Sequence, residues 1–375
     1  MALKFLLPGQ MQYMSQHGFD VTMISADGIE RNDVIQNEGC PHLIVPMTRQ
    51  ITPLKDLQCL WQLIKIFKKI EPDIVHTHTP KAGLLGMLAA KICRVKIRIH
   101  TVAGLPLMVE RGFKFQLLKL VEKITYWGAN HVWPNSYSLL KYIKQQRLTS
   151  QKKLKVISKG SSNGINLQRF NKANFSDGIF EEIKKSIDYN NNTQYLLTIG
   201  RLVKDKGIIE LVQAFKNINT HYKNLKLILV GKYEAELDAL PEYIINEIEN
   251  NPNIIHINWS NHVEYYMALA TIFVFPSHRE GFPNVLLQAG ALGTPIICTA
   301  IAGNVDIIKN NKTGILCAVS NEVDLQHKIN FALQNIALLQ AMAATLKTHI
   351  HTFYSRDIVW QAILNEYETL LNPTK

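Results

Sequence analysis

Residues 271–299, TIFVFPSHREGFPNVLLQAGALGTPIICT, limit the fold more than any other stretch. An apolar run, Thr271 to Phe275, stops at Pro276-Ser277. A charged turn follows (His278, Arg279, Glu280, Gly281), then a helical pattern from Pro283 to Gly293-Thr294-Pro295 and a second apolar run, Ile296 to Cys298. Strand, polar loop, helix and strand in that order form a parallel crossover, and open α/β sheets bind ligands at the carboxyl ends of such strands. Pro283 suits a first helical turn because its missing N–H would have no partner there, and Gly281 lets a ligand approach the backbone. The free amides of that helix start invite an anion. Glu280 at the same mouth cannot hold one, which points it at a neutral group such as a sugar hydroxyl.

The same alternation runs through the chain, whose 375 residues fit two domains of ~100 to 200 residues rather than one core. In the first half, 3–17 reads as one amphipathic helix, 19–28 as a strand with its turn, 42–47 as a strand and 53–70 as a helix. Strands follow at 73–78, 95–106 and 131–136, with helices from Lys81 and over 110–129 between them, and a further strand is expected within 153–170. His76 and His78 share one strand face. With no carboxylate or third histidine nearby, hydrogen bonding at the strand end is expected rather than a metal pair, and His100 reads as structural. In the second half, a strand at Tyr195–Ile199 meets a helix from Gly207. Strand–helix pairs follow in 224–240 and 253–270, then an edge strand at 313–319 and two helices, the last at about 355–371. Arg201 and Lys206 fall in one strand-to-helix loop, able to converge on an anion, although two solvated surface cations are the plainer reading of that spacing alone.

Composition excludes several classes. At 47% hydrophobic and 19% charged the chain is globular, and no run of ~20 apolar residues exists to span a membrane. The N-terminal MALKFLLPGQMQYM reads as part of the fold rather than a signal peptide. Cys40, Cys59, Cys93, Cys298 and Cys317 form no CxxC pair and read as reduced thiols of a cytoplasmic protein. The net charge of +11 fits a nucleic acid, an anionic membrane face or a diphosphate substrate. No helix-turn-helix, zinc-finger, RRM or KH pattern supports the first. Lys141, Lys144, Arg147, Lys152, Lys153 and Lys155, beside Tyr137 and Tyr142, read as a solvated basic helix or as a contact for anionic lipid. The 110–129 helix, apolar among lysines, reads as core-facing or interfacial.

EGFPNVLLQAGA, with the strand before it and PIICTAIAGNVDII after it, resembles the donor-site signature of the retaining family 4 glycosyltransferases. That resemblance implies an α/β chain of the GT-B class, two Rossmann-like domains facing across a cleft, with a C-terminal helix crossing back. Here these would be residues 1–170, 171–355 and 356–375. It implies retaining transfer from a nucleotide-diphosphate donor, expected to be a UDP-sugar, to a lipid-linked glycan or polysaccharide precursor. Arg201 and Lys206 would hold the donor diphosphate and Glu280 the hydroxyls of the sugar, the three forming the catalytic set. Gly200, Gly231, Gly281, Phe282, Pro283, Asn284 and Val285 would line the donor, and Gln288 would meet the ribose. The family pattern E-x7-E is here Glu280 followed by Gln288, an amide in place of the second carboxylate. Ala103-Gly104 stands where relatives carry His-Gly; Gly104, His78 and Lys81 are expected on the acceptor side. Relatives begin one strand earlier, so the first strand of the N-terminal domain is expected to be missing. No Asp-x-Asp motif is present, and neither cofactor nor metal is expected. The expected location is cytoplasmic, peripheral on the inner face of the plasma membrane, with no nucleic-acid partner. Two other readings stand beside this one: a degenerate sugar-nucleotide-binding protein and a sugar-nucleotide 2-epimerase of the same fold.

Overall fold

The computed structural model describes residues 2–48, 50, 52–234 and 238–372. The chain divides into two units, residues up to Gly164 joined by those from Arg356 onward, and Ile165–Ser355. The division falls a few residues before the expected boundary at 170 because Ile165 and Phe170 are both buried in the core of the second unit.

Unit 1 runs α1 (Ala2–Leu6), α2 (Gln10–Gln16), β1 (Met23–Ser25), α3 (Arg31–Glu38), β2 (His42–Ile44), α4 (Pro53–Ile70), β3 (Ile74–Thr77), α5 (Pro80–Ile92), β4 (Ile97–Val102), α6 (Gly112–Gly128), β5 (His131–Pro134) and α7 (Tyr137–Gln145). The single helix expected over 3–17 is two, broken at Pro8–Gly9, since Pro8 has no N–H to continue the ladder. All pairs are parallel, in two separate sheets, β1–β2 and β3–β4–β5, and no strand joins them among the described residues. β4 shows why its sheet is covered on both faces. Ile97 and Ile99 face Trp133 and the C-terminal helix Arg356–Leu371, while Val102 joins the core built by α4, α5, α6 and α7. The strand expected within 153–170 does not form. Leu154 makes one isolated bridge to Val132, and left-handed backbone at Ser158, Gly160, Ser161 and Gly164 then turns the chain repeatedly. Lys153 is drawn away to the end of α6, where its ammonium donates to the Tyr126 and Ala129 carbonyls.

Unit 2 runs α8 (Asp177–Ser186), β6 (Gln194–Ile199), α9 (Ile208–Asn219), β7 (Leu225–Val230), α10 (Glu242–Asn250), β8 (Ile254–Ile257), α11 (Val263–Leu269), β9 (Ile272–Phe275), α12 (Asn284–Leu292), β10 (Ile296–Thr299), α13 (Asn304–Ile307), β11 (Ile315–Cys317), α14 (Glu322–Gln334) and α15 (Ile336–Phe353). The helix expected at the end of 224–240 lies partly on residues 235–237, outside the described residues. One six-stranded parallel sheet has the order β11-β10-β9-β6-β7-β8. β9 is buried along its whole length, with Ile272 and Val274 in one core and Phe273 and Phe275 in the other. A strand covered by helices on both faces reads as an unbroken apolar run, which is why 271–275 shows no alternation. The strand order reverses between β6 and β9, and their pairing stops at Leu197↔Phe273, so the carboxyl ends of the two strands part. All five cysteines are free, and among the described residues no single helix is long and apolar enough to cross a membrane.

Candidate functional site

The parting of β6 and β9 marks the switch point of the unit 2 sheet, the usual ligand position in such sheets. From β6 the chain passes Gly200 and Arg201 into a 3₁₀ turn, Lys204–Lys206, and enters α9 through Gly207. From β9 it passes Pro276 to Pro283 and enters α12. The two loops are pressed together. Gly207 has φ 69°, and a Cβ there would lie 2.1 Å from the Pro276 carbonyl oxygen. Behind them a Cβ on Gly231 would lie 1.7 Å from the Gly200 carbonyl oxygen, so only glycine lets the ends of β6 and β7 meet there.

This proximity joins residues from the two loops. The Lys206 ammonium is paired with the Glu280 carboxylate, and the fully buried Ser277 hydroxyl lies 2.8 Å from the same Glu280 oxygen. Asp205 accepts from Arg279 Nε at 2.6 Å, its carbonyl accepts from the His278 amide at 2.8 Å, and its own amide donates to Asp238. His278 Nε2 lies 2.8 Å from Glu210 on the first turn of α9; that hydrogen bond, against the cost of burial, raises the imidazole above its ordinary pKa. Arg201 stands apart from this knot, paired with Glu234 beyond β7.

Pro283 is the N-cap of α12, one residue before the expected first helical position, and it supplies no side-chain cap. The amides of the first turn are therefore left without a capping side chain. Asn284 and Gln288 are half-buried and lie one turn apart on one side of α12, while Phe282 is buried against Tyr354. Gly281 is held against Gly303: a Cβ there would lie 2.5 Å from the Gly281 carbonyl oxygen. The structure thus brings together Lys206, Glu280 and the start of α12, with Arg201 at the rim. Ser277, Asp205, His278 with Glu210, and Glu234 were missed from sequence. Each acts through a partner in another loop, and only the small polar Ser277 directly before the charged turn gave any local signal.

Unit 1 carries the other residues of interest at the carboxyl ends of β3, β4 and β5. Lys81 is taken up by structure: its ammonium lies 2.7 Å from Asp56 and ties the start of α5 to that of α4. Burial opposes ionisation of Asp56, and Lys81 with Thr52 overrides it, holding the carboxyl below its ordinary value. His76 bonds Tyr367 at 2.6 Å and Thr101 at 2.7 Å, and buried His100 bonds Thr77 at 2.9 Å. His78 differs. Its enclosed Nδ1 has no partner, nor has the enclosed Oδ1 of Asn135, and both residues line a small cavity with Ser161 and Ser162. Burial, then the neighbouring His100, lowers His78 to about 3, so the ring stays neutral at physiological pH. Gly104 lies half-exposed just past β4. Among the described residues no group of three or more His, Cys, Asp or Glu could hold a metal ion.

The pattern of the family Glycosyl transferases group 1 matches residues 179–348, and that of Glycosyl transferase 4-like matches 4–136. The capsular polysaccharide biosynthesis glycosyltransferase CapM of Staphylococcus aureus is 35% identical over 371 residues, 99% of this chain and 95% of that one. The UDP-Gal:alpha-D-GlcNAc-diphosphoundecaprenol alpha-1,3-galactosyltransferase of Escherichia coli is 26% identical, covering 84% of this chain and 80% of that one. Among solved structures, a glycosyltransferase from Rickettsia africae superposes with a TM-score of 0.80 at 21% identity over 98% of this chain and 94% of that one. HepE of Anabaena, in complex with UDP and glucose, gives 0.80 at 15% over 96% and 94%. The fold is that of the GT-B glycosyltransferases, and the chain belongs to the group 1 glycosyltransferases, an enzyme that transfers sugar.

Proposed function

We propose that the enzyme moves a sugar, with retention of configuration and without a metal, from a UDP-sugar to a lipid-linked glycan or polysaccharide precursor at the cytoplasmic face of the membrane. The observation that carries this is the meeting of Lys206, Glu280 and the uncapped first turn of α12 at the switch point of unit 2. As the bond to phosphate breaks, negative charge gathers on the diphosphate. Lys206, Arg201 and the α12 amides answer it. Lys206 leaves Glu280 for the phosphate, and Glu280 turns to the sugar hydroxyls. The departing phosphate then helps to remove the proton of the acceptor hydroxyl. The named relatives act on a UDP-sugar, on diphosphoundecaprenol-linked acceptors and in capsule synthesis, which supports this choice of donor, acceptor and pathway class.

A panel of nucleotide sugars screened by thermal shift is expected to single out UDP-sugars. The selected donor, given an undecaprenyl-diphosphate-linked sugar, should yield a longer glycan at a rate that EDTA leaves unchanged. Conversion of the donor without acceptor would mean epimerase chemistry and overturn the proposal. Gln288→Glu is expected to tighten donor binding about tenfold, since a carboxylate accepting ribose hydroxyls gains ~1 to 2 kcal/mol over an amide. Isothermal titration with the donor reads this, and weaker binding would remove Gln288 from the ribose site.

A further inference from the structure

Three successive residues of the β9 loop are each tied to the neighbouring loop or to the helix it enters. His278 Nε2 lies 2.8 Å from Glu210 on α9, Arg279 Nε donates to Asp205 at 2.6 Å, and Glu280 is paired with Lys206. The backbone adds to these ties, since the His278 amide and the Ser277 hydroxyl both reach the Asp205 carbonyl, at 2.8 and 3.2 Å. The three side-chain ties are not equivalent. The pairing of Lys206 with Glu280 is given up in the proposed reaction, while the other two involve no group that meets the donor there. Once the third tie opens, only the first two and the Asp205 carbonyl keep the loop in place.

The tie through His278 is the one that reaches past the loops into a helix. Glu210 stands on the first turn of α9, where its Oε1 meets His278 and its enclosed Oε2 has no partner among the described residues. Burial opposes ionisation of Glu210, and the hydrogen bond from His278, with that of its own amide, overrides it. The charged groups that face the imidazole from other elements are all acids: Glu210 of α9, Asp205 of the 3₁₀ turn and Asp238 beyond β7. Within its own loop, Arg279 and Glu280 are engaged by Asp205 and Lys206. The imidazole is thus set to keep its proton and to hold Glu210 by charge as well as by hydrogen bond.

We propose that His278 is a positioning residue of the transfer reaction: its tie to Glu210 holds the β9 loop on α9, so that Glu280, released by Lys206, meets the sugar in one fixed place. This rests on the reading of Glu280 given above. The tie is strongest while the imidazole is protonated and loosens as pH rises through its raised value, so the transfer rate carries an alkaline limb that belongs to this pair. Steady-state transfer by the full chain, followed from about pH 6 to about pH 9, tests it. His278→Ala is expected to lower kcat about tenfold, by misplacing Glu280, while UDP affinity stays within about twofold of the parent because the groups that hold the diphosphate remain. His278→Gln, whose amide can still donate to Glu210, should recover most of that loss and lack the alkaline limb, so the parent's advantage over it shrinks as pH rises. In Glu210→Gln the His278 ring, followed by its Cε1–H proton resonance, should titrate at lower pH than in the parent. Should His278→Ala melt far below the parent, the comparison of parent with His278→Gln decides alone. The proposal is overturned if the ratio of parent to His278→Gln is the same at every pH, if the loss falls on UDP affinity instead of kcat, or if Glu210→Gln leaves the His278 titration unmoved. A loss in Glu280→Gln with none in His278→Ala sinks this proposal alone; full transfer by Glu280→Gln sinks the reading of Glu280 and this proposal with it.

Discussion

Lys206→Ala is expected to lower kcat/KM for sugar transfer by ~10² to 10³-fold, about 3 to 4 kcal/mol of lost transition-state stabilisation. Its ammonium stands at the end of the 3₁₀ turn where β6 and β9 part, paired with Glu280, and in the proposed reaction it moves to the diphosphate. The loss is not complete, because the α12 amides and Arg201 remain. Glu280→Gln separates the two roles: its amide oxygen still faces the Ser277 hydroxyl, so the loop keeps its shape. UDP should bind Glu280→Gln at least as tightly as the parent, since a carboxylate competing for Lys206 is gone, while transfer falls because the sugar loses its acceptor of hydrogen bonds. For Lys206→Ala, UDP binding and transfer should fall together. Unchanged UDP affinity in Lys206→Ala would take the lysine out of the diphosphate site.

Glu122→Gln is expected to stabilise the protein by about 3 kcal/mol at pH 8. Glu122 is 6% exposed on the inward side of α6, and burial lifts its carboxyl to about 7. In the unfolded chain the same group ionises near 4.5. Between these values the unfolded chain has released the proton that the fold still holds, so raising the pH through this window removes stability, and above it the cost is constant. Glutamine carries no such cost at any pH. The gain should therefore be large at pH 8 and nearly absent at pH 4.5, read as urea midpoints of parent and variant at the two values. An equal gain at both would mean that packing, not ionisation, was altered.

The parts of the fold that could be read in advance are those where one local signal decides the outcome. Pro276-Ser277 after five apolar residues ends a strand whatever lies around it, and Gly293-Thr294-Pro295 ends a helix, so β9, α12 and β10 stand close to where the sequence places them. Where two signals compete, the reading fails. The pattern of 3–17 is helical, but Pro8 prevails and divides it. Leu154 to Ile157 has the look of a strand, but Lys153 is anchored on α6 and left-handed residues follow. In the site, the loop holding Arg201 and Lys206 was legible. That Lys206 meets Glu280 and Arg201 meets Glu234 was not, because each carboxylate comes from the loop of a different neighbouring strand, Glu280 after β9 and Glu234 after β7. Lys81 and the basic residues around Lys153 show the same limit: a cation is visible in a sequence, but the group it answers is not.

Unit 2 begins and ends at one place. The Ile165 amide donates to the Tyr354 carbonyl at 2.7 Å, and Ile165 bridges to Ser355. Residues 165–355 are thus a continuous insert whose termini already touch, set into a host that is itself assembled from both ends of the chain. Such an insert can be lifted out, closed with a short linker or exchanged for another without severing a single strand of its sheet. The host, by contrast, cannot be cut at a single point, because its core takes residues from the C-terminal helix, Val359, Ile363 and Leu364 among them.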